Sequence, residues 1–255
     1  MSLLTKIGQA LARYLEKPSV SAIQPATCKP ELLAATIRMG DVILVDGSSR
    51  VSTAIKYLTQ STWSHTAMCI KDDSQSAQPD CNNIMLIEAD VIEGVRIIPL
   101  AYYAHLHTRI CRPMGINKAE VERAISFARA QVGHQYDMKH IFDLMRYLIQ
   151  TPPVPSSWRR KMISLGSGDP TRAICSSLIA QTFQSIRYPI LPDVAFEKTQ
   201  LPYCQHRYDE VLHIRHHSLY VPKDFDISPY FNIIKPTLND QFDHHKLPWS
   251  QYQQP

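Results

Sequence analysis

The chain has 255 residues, a formal charge of +4, and hydrophobic and charged fractions of 44% and 20%. That length is enough to bury a sizeable core, and the composition is that of a globular protein rather than a disordered one. The basic residues are scattered, which excludes the cationic face of a nucleic-acid binder, and no run of 18 apolar residues is present to span a bilayer.

Residues 1–37 read as an N-terminal helix followed by an arm. Leu3, Leu4, Ile7, Leu11 and Leu15 fall at helical spacing, while Lys6, Gln9 and Arg13 interrupt the apolar stretches that a secretory leader needs. The expected location is therefore cytoplasmic. The first reading of the stripe is a helix docked on its own domain. A second lays it on a membrane surface as a peripheral contact.

A domain over 38–236 follows. "GDVILVDG" (Gly40–Gly47) is an apolar run between glycines, the pattern of a buried strand, and "SSRVSTAIKYLTQ" has a Ser cap and a helical stripe. "SHTAMCI", "NIMLIEAD", "GVRIIPL" and "HTRICRP" read as four short strands. "NKAEVERAISFARAQVG" predicts a helix, with a capping box at Asn117 and Glu120 and a terminating Gly133. "MKHIFDLMRYLIQ" predicts a second, stopped by Pro152 and Pro153. It opens an insertion over about 138–170. Late strands are expected from "HIRHHSLYVP" through "PYFNIIKP", and 237–255 as a loose tail. Helices flanking a central group of consecutive strands give an α+β fold.

The six cysteines (Cys28, Cys69, Cys81, Cys111, Cys175, Cys204) are widely spaced with no CxxC pair, so free thiols are expected and a zinc ribbon is not. His105 and His107, or His213, His216 and His217, lack a matching ligand shell, and no metal is expected. "GSGDP" (Gly166–Pro170) lacks the Gly-Lys-Ser/Thr ending of a phosphate-cradling loop, so nucleotide binding is not supported.

"TRAICSSLIAQTF" (Thr171–Phe183) places Cys175 at the head of a predicted helix. Unpaired N–H groups and the positive end of the helix dipole favour thiolate there. A thiolate needs a base, and His65 at the edge of a strand is the candidate. An imidazole needs a group to fix its tautomer, and Glu88 lies on the next strand. A helix-start cysteine can equally be a small buried hydrophobe, and a strand histidine a packing residue; spacing alone leaves both readings open.

Five short motifs run in order: Gly40–Asp41, Ser64–His65, Glu88–Ala89, Gly133 with Tyr136–Asp137, and Cys175–Ser176. Together they resemble the circularly permuted NlpC/P60 papain-like family, the YiiX/YebB-like cysteine hydrolases. The resemblance implies a papain-like fold with permuted topology, a central antiparallel sheet or small barrel flanked by helices. It also implies Cys175 as nucleophile, His65 as general base and Glu88 as orienting residue, with no cofactor. Ser64, Tyr136, Asp137 and Ser176 are expected at the cleft, and Trp158, in the "WRRK" loop of the insertion, at its rim. Relatives with Tyr-Cys-Ser-Glu at the nucleophile differ from Ile174-Cys175-Ser176-Ser177 here. The expected activity is cleavage of an amide or peptide bond through a thioester. One alternative is a lipid-directed acyltransferase, thioesterase or esterase, because the resemblance extends to lecithin–retinol acyltransferase-like proteins. Another is a non-catalytic lipid- or peptide-binding module on the same fold.

Overall fold

Val42–Val45 (β1) is buried at all four positions, and its residues divide between two cores. Val42 and Leu44 pack on one side of the sheet, Ile43 and Val45 on the other. A strand covered on both faces reads as a continuous apolar run, which is why "VILV" has no polar alternation. The computed structural model describes residues 26, 28–90, 93–134, 174–198, 208–213 and 215–236. The predicted helix over 3–15, the helix and loop of the 138–170 insertion, Tyr136, Asp137, Trp158 and the 237–255 tail lie outside those residues.

The elements in chain order are α1 (Pro30–Thr36), β1, α2 (Arg50–Thr59), β2 (His65–Lys71), β3 (Met85–Asp90), β4 (Gly94–Pro99), β5 (Thr108–Pro113), α3 (Lys118–Ala130), α4 (Ile174–Ser185), β6 (Asp193–Lys198), β7 (Tyr208–His213), α5 (Pro222–Ile227) and β8 (Phe231–Ile234). Six strands form one antiparallel sheet in the order β4-β3-β2-β1-β5-β8, and β6 and β7 form a separate hairpin. The fold is α+β, with helices on both faces of a central antiparallel sheet. The sheet is open, so the small-barrel form of the expectation is corrected. The outer edge of β4 is occupied instead: Val95 N–H donates to the His134 carbonyl and Gly133 N–H to the Val95 carbonyl, at 3.0 and 2.9 Å. Gly133 makes that turn with φ +85°, past the helix end at Ala130.

α3 begins at the expected Asn117–Glu120 capping box and buries Val121, Ala124, Ile125 and Ala128. α4 lies beside it, across β2 and β3, and contributes Leu178, Ile179, Ala180 and Phe183 to the same core. The larger of these, Leu178, Ile179 and Phe183, contribute roughly 1.5–3 kcal/mol each on full burial. Phe183 meets Phe225 of α5, Phe231 of β8 and Tyr188 in tilted and edge-on contacts. α1 covers the opposite face with Leu33, Ala34 and Ile37, against Leu100, Tyr103 and Ala104.

Three expectations are revised. Pro30–Thr36 is a helix rather than part of an arm, begun by a proline at its first turn. The late stretch "HIRHHSLYVP" is strand only up to His213; His217–Leu219 is a 3-10 turn and α5 follows. A β6–β7 hairpin was not expected. The described cysteines (Cys28, Cys69, Cys81, Cys111, Cys175) are free thiols.

Candidate active site

β1 ends where the site begins. Val45 pairs with His65, the first residue of β2. Ser64 fixes the approach: its N–H donates to the Val45 carbonyl at 3.0 Å, and its hydroxyl accepts from Gly47 N–H at 2.9 Å. A Cβ at Gly47 would collide with the Ser52 and Ser64 hydroxyls and force both to move.

β3 supplies the carboxylate. Met68 pairs with Ile87 and Cys69 with Leu86. Continued along the strands, that register sets Glu88 diagonally from His65 on one face, within reach of long side chains. His65 Nε2 lies 2.8 Å from Glu88 Oε2. Tyr103 Oη donates to the same oxygen at 2.6 Å, and Arg96 Nε donates to Oε1 at 2.8 Å. Arg96 is the direct cross-strand partner of Glu88 on β4. Arg96 also reaches Glu93 at 2.8 Å and Asp90 at 3.4 Å. Glu88 is completely buried and His65 about one-fifth exposed.

Burial alone would raise the Glu88 pKa. His65, Tyr103 and Arg96 outweigh it and hold the carboxyl down at about 2. Burial, then the neighbouring carboxylate, pushes the Tyr103 hydroxyl far up, so it stays a donor.

α4 brings the third group. Cys175 lies in its first turn and is 4% exposed. Burial disfavours its thiolate, but His65 and then Thr66 overcome that and pull the thiol below its ordinary value. The reciprocal effect holds for His65. Burial opposes its charge, and Cys175 and Glu88 raise its proton affinity well above that of a free imidazole. The favoured state of the pair is thiolate and imidazolium.

The structure thus brings Cys175, His65 and Glu88 together. Ser64 and Ser176 are not free to line a cleft: both are buried with hydroxyls bonded to backbone. Ser176 Oγ donates to the Tyr220 carbonyl at 2.8 Å, which locks the first turn of α4 to the segment before α5. Asp41 of the first motif sits at the far end of β1, where it accepts a two-point grip from Arg112 of β5 at 2.8 and 2.7 Å. Sequence reasoning missed Arg96, Tyr103 and Thr66. Pairing "MLIEAD" with "GVRIIP" across a short turn would have found Arg96; Tyr103, in an irregular turn after Pro99, has no comparable signal.

A family model described as a permuted papain-like amidase enzyme, of the YaeF/YiiX C92 family, matches residues 36–147. The match spans less than half of the chain. The matched span carries His65, Glu88, Arg96 and Tyr103, and Cys175 lies beyond it. At the family level the match supports amidase or cysteine-hydrolase chemistry for the domain. No curated protein matches the chain. A solved structure described as the metalloprotein YiiX from Escherichia coli O157:H7 is similar at 16% identity and a TM-score of 0.45, over 78% of this chain and 96% of that one. Among the described residues, no group of three or more His, Cys, Asp or Glu side chains is placed to hold a metal ion.

Proposed function

We propose that the protein is a cysteine hydrolase that cleaves an amide or peptide bond, with Cys175 as nucleophile, His65 as general base and acid, and Glu88 as the residue that orients His65. One observation carries the reading: the thiol at the head of α4 and the imidazole at the head of β2 shift each other toward the charged pair, while Glu88 holds the ring at Nε2.

The Cys175 thiolate attacks the scissile carbonyl carbon, and the tetrahedral oxyanion takes hydrogen bonds from backbone N–H groups in the first turn of α4, which no intrahelical acceptor claims. The His65 imidazolium gives its proton to the departing amine, leaving a thioester. Water, deprotonated by His65, attacks the thioester, and the acid leaves as Cys175 is restored as thiolate beside imidazolium. The Glu88 carboxylate, bound by three donors, keeps Nε2 engaged so that Nδ1 serves the sulfur.

The test is turnover of a panel of small peptide amides by the full chain, with site-resolved trapping of the acyl-enzyme. Cys175→Ala and His65→Ala should each lose at least a thousandfold in kcat/KM, roughly the scale of removing an activated nucleophile or its base. An acyl adduct on another cysteine, or turnover that survives Cys175→Ala, would overturn the reading.

A further inference from the structure

Thr66 is fully buried, and its Oγ1 is the one buried side-chain oxygen or nitrogen among the described residues with no hydrogen-bond partner. Its place in β2 explains where it points. Ala67 and Cys69 turn into the core beneath α1, Met68 and Ile70 into the core against α4. Thr66 shares the parity of Met68, so its side chain faces α4, whose first turn carries Cys175.

The backbone is placed the same way. Cys69 N–H donates to the Asp41 carbonyl on the β1 side, and donors alternate along a strand, so Thr66 N–H faces β3. The β2–β3 pairing runs from Lys71 to Met68 and does not extend to Thr66. Two donors of one residue are thereby left by the sheet on the side where the sulfur docks, and both favour its charged form. A neutral thiol is a poor acceptor and a thiolate a strong one, which accounts for a hydroxyl that is unpartnered opposite the thiol.

We propose that Thr66 is a positioning residue for Cys175, whose N–H and Oγ1–H both donate to Sγ and hold the sulfur as a thiolate aligned with His65. The inference rests on the reading of Cys175 as nucleophile. His65 contributes charge, and Thr66 contributes direction from the opposite strand face.

The experiment is site-resolved iodoacetamide alkylation of Cys175 in the full chain across pH 4–9, for the wild type and for Thr66→Val, Thr66→Ser and His65→Ala. Thr66→Val should move the alkylation midpoint up by roughly one pH unit, a tenfold loss of thiolate. Thr66→Ser should restore it. Because valine replaces an unpartnered hydroxyl with a methyl, Thr66→Val should melt no lower than the wild type. An unchanged midpoint in Thr66→Val beside a moved one in His65→Ala overturns the role of Thr66 and leaves the Cys175–His65 pair standing. A shift that Thr66→Ser does not restore assigns the effect to packing and overturns it too. A Cys175 that reacts like an ordinary thiol in all four proteins overturns both readings.

Discussion

Glu88 is the residue on which the charges converge. A buried carboxylate with a single partner would be costly, whereas three donors satisfy both of its oxygens. Its folded pKa of about 2 lies below the ordinary 4.5. The stabilisation it contributes is therefore complete above about pH 4.5 and lost as pH falls toward 2. It amounts to about 3 kcal/mol. Urea midpoints at pH 7 and pH 3 should show that loss in the wild type and a flatter response in Glu88→Gln. The same substitution removes one of the charges that raise the His65 pKa, so the Cys175 alkylation midpoint should rise as well. His65 itself has the opposite sign: its stabilisation is present below about pH 6.5 and disappears as pH climbs through its raised folded value. Cys175 and His65 stood out as candidates because they sit at element starts, and Glu88 because a carboxylate interrupts an apolar strand; the five motifs in order joined them. Thr66 did not stand out, because a threonine in a strand reads as an ordinary β-former and only the packing of α4 distinguishes it.

Among the elements, α4 and its anchors decide whether the thiol meets its base. Ser176→Ala would remove the hydrogen bond that Ser176 gives the Tyr220 carbonyl, at a cost of about 0.5–1.5 kcal/mol. Cys175 in that variant should alkylate with a higher midpoint, because the helix start loses its register against β2. Asn117→Ala is the control. It removes the cap of α3, where the Asn117 side chain accepts from Glu120 N–H at 3.0 Å, and should cost about 1 kcal/mol while leaving the Cys175 pH profile in place. Long periodic elements such as α3 and the strands β1 to β5 could be read from pattern. α1 and α5 span only seven and six residues, too short for periodicity to rise above the surrounding polar and proline residues. α5 is held by tertiary contacts instead: Asp226 accepts from Trp63 Nε1 at 2.9 Å and from Arg109 at 2.6 and 2.8 Å.

In the whole molecule, one sheet separates two cores, and the site straddles the end where they meet. Glu88, Tyr103 and Arg96 assemble on the α1 face and edge, Thr66 and Cys175 on the α4 face, with His65 at the strand head between them. Phe183 joins α4 to α5 and β8, and Phe183→Ala should cost about 3–5 kcal/mol in urea unfolding. The α+β class followed from the order of helices and strands. Whether the sheet closed did not, because the partner of β4 is a turn rather than a strand.

Cys175 and His65 are 110 residues apart in the chain. During synthesis the histidine, its carboxylate and the arginine and tyrosine around that carboxylate emerge long before the cysteine, on three consecutive strands and the turn that follows them. The basic half is thus a finished template awaiting a nucleophile, and closing so long a loop costs entropy that only the docking of α4 repays. Until then Cys175 is an ordinary thiol with a pKa of about 8.5. The nascent chain therefore carries no activated sulfur, and the rise of low-pH alkylation at Cys175 during refolding clocks the last step of assembly rather than the first.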